Sequence, residues 1–438
     1  MNYINKIAFA FLLCLTSGFA QEKLTKEDAV NLALENNYGI LIAKNNIEIA
    51  KNNASINNSG YLPTLTASAG VNYNLDDNEY TAQNGTVSET NGAESNSYNA
   101  SIGLNYTLYD GLGRSYNYKK LKEAHNLSEL EAQTVIENSL LQVFSIYYSV
   151  AQLTEDSKNI SESLNVSKQR LLRAKYGFDY GQNTKLEVLN AEVDVNNDSI
   201  NYINTQRLLA NSKRDLNLAL GRNVNTNFTV DTDITFNLVF DLNLLIEKAK
   251  EYNIEIQKVN KNLQISQFDI KINKSNLLPS LSLNSSYGFN KYNNDATFTY
   301  AEQLSKGLNA GLSLNWNIFD GGSTKTSIQN AKIYEDNLKV QKEQTLNELE
   351  RNVANALEVY NNALFILNAE EKNVETNKNN FSRTEEKFKL GQATSIEFRQ
   401  AQLNLLNAQS SYNTAKYDAK NAELILLQLS GELLNTDF

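Results

Sequence analysis

Four stretches of the chain alternate apolar and polar residues with a period of two. In Leu65–Leu75 every odd position is apolar and every even one is polar or glycine. Ala100, Ile102, Leu104, Tyr106 and Leu108 alternate with Ser101, Gly103, Asn105 and Thr107. Further on, Leu281, Leu283, Tyr287 and Phe289 alternate with Ser282, Asn284, Ser286 and Asn290, and Leu308, Leu312, Leu314, Trp316 and Ile318 with Asn309, Ser313, Asn315 and Asn317. This period predicts strands over 62–75, 99–109, 279–290 and 308–319, each with one apolar and one polar face. A soluble sandwich and a membrane barrel both give such alternation. The uncharged polar faces, the Tyr and Trp on the apolar faces, and lengths matching the ~9–11 residues of a tilted spanning strand favour the barrel. The residues expected to face lipid are Leu65, Val71, Tyr73, Ile102, Leu104, Tyr106, Leu281, Leu283, Tyr287, Leu312, Leu314 and Trp316.

Elsewhere the period is helical. Leu346, Leu349, Val353, Ala356, Tyr360, Ala363 and Leu367 step alternately by three and four, and Ile136, Ser139, Val143, Ile146, Val150, Leu153 and Ser157 stand at equivalent places. That is a coiled-coil seam. The two stretches carrying it, 114–176 and 323–386, hold no proline or glycine. A continuous helix over the first would be about 95 Å long at 1.5 Å per residue. Each leads through a short turn, Tyr176–Asn183 or Glu386–Thr394, into a second helix over 184–220 or 394–430. Helical stretches also precede each strand pair, from Thr25 to Asn58 with a break near Asn36–Tyr38, and from Asp241 to Lys274.

The chain contains itself twice. Both prolines sit in one phrase, Leu62-Pro63-Thr64-Leu65 and Leu278-Pro279-Ser280-Leu281. Leu108-Tyr109-Asp110-Gly111 matches Ile318-Phe319-Asp320-Gly321, Tyr180-Gly181-Gln182 matches Leu390-Gly391-Gln392, and Gly221 matches Gly431. The expected organisation is a first repeat over 21–221, a linker over 222–240, a second repeat over 241–431 and a tail over 432–438.

Four strands cannot close a barrel, and an open sheet edge in lipid leaves backbone groups unpaired. A barrel must therefore be shared among chains. Two chains would supply eight strands and a filled interior, three chains twelve and a pore.

Composition narrows the chemistry. One His and one Cys among 438 residues leave little for zinc, thiol or histidine catalysis. A net charge of −10 argues against a nucleic-acid partner. Lys6, the apolar run Ile7–Leu15 and the small residues Gly18 and Ala20 make a signal peptide over 1–20, cleaved after Ala20. Cleavage removes Cys14 and with it any disulfide. No cofactor and no metal site are expected. His125, early in a long helix, reads as an exposed helix residue, and Asp320-Gly321-Gly322-Ser323 as a capped strand-to-helix turn rather than a phosphate loop.

The duplicated Leu-Pro before a strand, the exit Trp316-Asn317-Ile318-Phe319-Asp320-Gly321-Gly322, and Phe388-Lys389-Leu390-Gly391 followed by Ala401-Gln402-Leu403 resemble the TolC-like outer-membrane efflux proteins of Gram-negative bacteria. Phe178-Asp179-Tyr180-Gly181 is the first-copy counterpart of that last phrase. The resemblance implies an α+β membrane protein: a homotrimer sharing a 12-stranded outer-membrane barrel, with a coiled-coil periplasmic tunnel, no enzymatic activity, and partners in a periplasmic adaptor protein and an inner-membrane transporter of an efflux or type I secretion system. It also implies an acidic constriction just past the second turn, six and nine positions after its glycine. Those positions hold Glu397 and Gln400, and the first copy has Glu187 and Asn190, so a single ring of Glu397 is the expectation. The turn residues Tyr180, Gly181, Gln182, Leu390, Gly391 and Gln392 are the expected adaptor contacts. A secreted coiled-coil scaffold or adhesin with a small sandwich is the alternative reading.

Overall fold

The computed structural model describes residues 22–237, 239–294 and 301–435; the expected signal peptide and the last residues of the tail lie outside them. A short strand β1 (Glu22–Leu24) leads into helices α1 (Lys26–Asn36) and α2 (Tyr38–Asn53). Strands β2 (Thr64–Thr81) and β3 (Val87–Asp110) follow, then α3 (Gly113–Asp179), α4 (Lys185–Ala219) and the short β4 (Phe228–Val230). The second half runs α5 (Leu242–Tyr252), α6 (Ile254–Ser275), β5 (Ser280–Asn294), β6 (Glu302–Asn315), α7 (Ser323–Lys389) and α8 (Ser395–Leu429).

Helix lengths agree between halves: α3 and α7 have 67 residues each, α4 and α8 have 35 each. One joint recurs as well. Asn37 ends α1 and donates through Nδ2 to the carbonyl of Ala219 (2.7 Å), while its Oδ1 accepts from the N–H of Ile40. Asn253 does the same between α5 and α6, toward Leu429 (3.1 Å) and Glu255. The first break was legible; the second, at Asn253, was not, because no proline or glycine marks it.

The chain folds into two compact units, each drawn from both halves. One holds residues 47–129 and 258–342, including all four long strands. These form an antiparallel sheet in the order β2-β3-β5-β6, so β2 and β6 are its two edges. Leu65, Val71, Tyr73, Ile102, Tyr287, Leu312 and Leu314 are exposed at 53–72% on one face, and no second sheet layer covers it among the described residues. Leu104, Tyr106, Leu281 and Leu283 are half-buried. The opposite face is a shallow trough of about 580 Å³ lined by Thr66, Asn105, Asn284, Ser286, Asn309 and Ser313.

Several strand ends differ from the sequence reading. Beyond Leu75, where alternation fails, β2 and β3 stay paired through a bulge at Asp76/Asn78 to Thr81↔Val87. The stretch from Asp76 to Ser97 is therefore mostly hairpin, not loop, because ladder bonds need only backbone groups. The strand expected over 308–319 stops at Asn315 and begins earlier, at Glu302. Trp316 lies just past it and donates its indole N–H to the carbonyl of Leu277 (3.1 Å). At both exits an aspartate caps the next helix. Asp110 accepts from the backbone and Nε of Arg114 (2.9 and 3.1 Å), and Asp320 from the backbone and hydroxyl of Thr324 (2.8 and 2.5 Å).

The other unit holds, among the described residues, 22–46, 130–257 and 343–435. Its cores gather seam residues of the long helices: Val143 and Val150, with Tyr147 beside them, pack with Leu24, Leu216, Phe228 and Leu424, and Leu349, Val353 and Tyr360 with Leu245 and Leu426. Two buried tyrosines tie the linker to these helices. Tyr147 donates to the carbonyl of Leu24 (3.0 Å) and accepts from the N–H of Asp231 (2.9 Å), and Tyr360 donates to the carbonyl of Asn237 (2.5 Å).

Candidate functional site

The helix-to-helix turns are built from matching backbone chemistry. Helix α3 ends through Gly181 at φ +73°, with the N–H of Gln182 donating to the carbonyl of Gly177 (2.6 Å). Helix α7 ends through Gly391 at φ +73°, with Gln392 donating to Lys387 (2.8 Å). A left-handed residue closing such bonds satisfies carbonyls a helix end would leave orphaned, and glycine takes it without a Cβ penalty. A Cβ at either position would meet nothing within 4 Å.

Around these turns the apolar residues divide. Tyr180 and Leu390 project at 81% and 72% exposure. Phe388 instead stacks on Phe398 at 4.8 Å, with the Arg173 guanidinium 5.0 Å from its ring centroid, and so closes the end of the helix pair. Gln182 and Gln392 are exposed beside their glycines.

The four gate candidates are all exposed near the starts of α4 and α8. Glu397 occupies a capping box: its carboxylate accepts from the backbone and hydroxyl of Thr394 (2.7 and 2.9 Å), and its own N–H donates to Thr394 Oγ1 (3.2 Å). The backbone and hydroxyl of Thr394 hold the Glu397 carboxyl below its ordinary range, so it is charged at neutral pH. Glu187 reproduces half of this, its N–H donating to Thr184 Oγ1 (3.3 Å). Gln400 donates to Asn404 (2.8 Å), and Asn190 stands exposed three residues after Glu187.

A second group near the turns was not singled out from the sequence. Arg399 of α8 grips Asp198 of α4 by donating from Nη2 and Nη1 (2.7 and 2.8 Å). Ser167 of α3 donates to the same carboxylate (2.6 Å). Arg170 of α3 pairs with Asp194 of α4, and Gln402 donates to the carbonyl of Ser163 (2.7 Å) and to Ser167 Oγ (2.9 Å). Arg170, Asp198 and Gln402 are only 3–4% exposed. Burial alone would raise the Asp198 carboxyl, but hydrogen bonds from Arg399 and Ser167 and both arginine charges hold it below its ordinary value. A signal was present: the repeat counterparts of Arg399 and Asp198 are Leu189 and Ala408, so a charged pair stands where the other copy is apolar. Gln402 was noted for its phrase, without a role.

Removing one partner of such a pair leaves a buried charge, at a cost of about 3–5 kcal/mol. Arg399→Ala should therefore lower the thermal unfolding midpoint of the detergent-solubilised protein, while Arg399→Met with Asp198→Leu recovers most of the loss. Equal midpoints for wild type and Arg399→Ala would deny the cluster a stabilising role. Because the folded carboxyl is depressed, its contribution is complete above about pH 4 and is lost as pH falls further.

Among the described residues no group of His, Cys, Asp and Glu is arranged to hold a metal, and no helix is long and apolar enough to cross a membrane.

Comparison with known proteins gives a consistent result. The family model described as "Outer membrane efflux protein" matches residues 29–222 and 245–432. Outer membrane protein TolC of Vibrio cholerae is 23% identical over 437 residues, spanning 98% of this chain and 95% of that one. The probable efflux pump outer membrane protein TtgC of Pseudomonas putida is 22% identical, spanning 92% and 82%. The crystal structure of the Campylobacter jejuni CmeC outer membrane channel superposes with a TM-score of 0.76 at 19% identity, covering 93% of this chain and 86% of that one.

Proposed function

The chain belongs to the outer membrane efflux protein family, and from that premise we propose how its parts act. It is an outer-membrane channel rather than an enzyme, and serves as the exit duct of an efflux pump. Three copies assemble, each adding four strands to one 12-stranded barrel. The observation that carries this reading is the uncovered apolar face of a sheet with two open edges. Lipid covers the face and neighbouring copies pair the edges. The trough of Asn, Ser and Thr becomes the water-filled lumen. Two tandem repeats, supported by the equal helix lengths and the matching Asn37 and Asn253 joints, place two strands and one helical hairpin each in the assembly.

The helical hairpins extend into the periplasm after export by the 1–20 signal peptide. Their turns meet the adaptor through Tyr180, Gly181, Gln182, Leu390, Gly391 and Gln392, and an inner-membrane transporter supplies the energy. The same duct would serve a type I secretion system. Where the α8 starts converge, three Glu397 carboxylates form a ring that favours cations.

Planar bilayers test the reading. The protein should form channels, and Glu397→Gln should reduce their cation selectivity and their block by divalent ions. Gln at the third helical position preserves a capping box, so this change removes charge while leaving the cap. Unchanged selectivity and block would return Glu397 to a purely capping role.

A further inference from the structure

We propose that the strand-to-helix junction binds the headgroups of anionic phospholipids; this rests on the outer-membrane reading above. Charge is segregated along the barrel unit. Segments 113–125, 268–279 and 320–332 carry eight Lys and Arg against three Asp and Glu, in a chain whose net charge is −10. The far hairpin, 76–94, carries five acids and no base.

Three of the junction cations, Arg114, Lys122 and Lys271, sit over aromatic rings. Lys122 lies 4.4 Å from the Tyr118 ring centroid, and Lys271 lies 5.1 Å from Phe268 and 5.8 Å from Tyr116, which brings α3 and α6 cations onto one surface. An aliphatic stem on a ring with its ammonium in water is the arrangement of an apolar–aqueous boundary. Lys119 and Lys274 are exposed and make no ion pair among the described residues.

The apolar side of the boundary is marked too. Lys274 precedes the exposed Leu277 and Leu278 by about one turn, and the Trp316 indole, following the apolar face of β6, donates to the carbonyl of Leu277 (3.1 Å). Leu112 holds φ +71° with its side chain 54% exposed, where the second junction has Gly322. Leucine is strained in that region and glycine is not. Contact of its side chain with acyl chains gives a reason to retain it. Cations below an apolar collar complement a phosphate-bearing leaflet, and an anionic one most.

The single tryptophan of the chain is its own reporter. With the full chain reconstituted in phosphatidylcholine vesicles containing brominated phosphatidylglycerol, quenching of Trp316 gives the preference for the anionic lipid. Wild type should prefer phosphatidylglycerol at low ionic strength and lose the preference in high salt. Lys119→Gln with Lys274→Gln should lower it by about fivefold for each lysine that meets a headgroup. Lys168→Gln with Lys372→Gln, exposed lysines of the other unit, should leave it unchanged. Equal affinity for the two lipids in wild type, or the same preference in the Lys119/Lys274 variant, would overturn the proposal alone. Failure of brominated phosphatidylcholine to quench Trp316 would overturn the barrel reading with it.

Discussion

Solubilised in a mild detergent, the mature chain should run as one species with the mass of three copies. The sheet ends at β2 and β6, whose outward edges pair with no other strand among the described residues. In hydrocarbon each unsatisfied group costs several kcal/mol, to order of magnitude. A lone copy in the bilayer would bear that penalty along two strand edges, which closure into a ring removes. The uncovered apolar face adds a second check. Leu312 is 66% exposed there, and arginine at the bilayer midplane of a barrel costs about 2–4 kcal/mol. Leu312→Arg should therefore shift protein from the heat-resistant trimer toward unassembled chain, whereas Ser313→Thr on the trough face should not. A monodisperse monomer or dimer would refute the shared barrel.

Replacing Gly391 by valine should abolish export in cells without reducing the amount of trimer. The glycine sits at φ +73°, which a β-branched residue adopts at a penalty of about 1–2 kcal/mol. That is a local cost, since the added Cβ would strike nothing within 4 Å. The turn it distorts presents Leu390, which is 72% exposed, whereas Phe388 stacks on Phe398. Gly181→Val should act in the same direction beside Tyr180. Efflux from intact cells gives the activity and immunoblotting of unheated samples gives the trimer. Site-specific crosslinkers at positions 180 and 390 should capture the adaptor. Normal efflux by both glycine variants, or adaptor capture only from the hairpin tip around Ala82–Thr86, would place docking elsewhere.

The buried Arg399–Asp198 pair shows why part of the candidate site escaped the sequence reading. Its members are separated by 201 positions and come from different halves of the chain. Nothing in the local period says that a start-of-helix arginine on α8 will meet an acid on α4. Only the asymmetry between the copies, Leu189 opposite Arg399 and Ala408 opposite Asp198, hinted that a charge had entered an apolar seam. Glu397 illustrates the converse. The Thr-x-x-Glu spacing of a capping box lies in plain view at Thr394, yet the sequence reading assigns Glu397 only to a ring.

What the sequence determined by itself are the features carried by local periods and breakers. The period-two stretches became β2, β3, β5 and β6, the three-four seam became a buried or half-buried stripe of α3 and α7, and the Asp320 turn became a capped helix start. Each follows from backbone geometry acting over a few residues. Only the tertiary structure decided where pairing ends, which strands are the edges, how Asn253 splits a helix, and that Phe388 packs inward while Leu390 does not. Those outcomes depend on groups far apart in the chain satisfying one another's hydrogen bonds and volume, which no window of neighbouring residues contains.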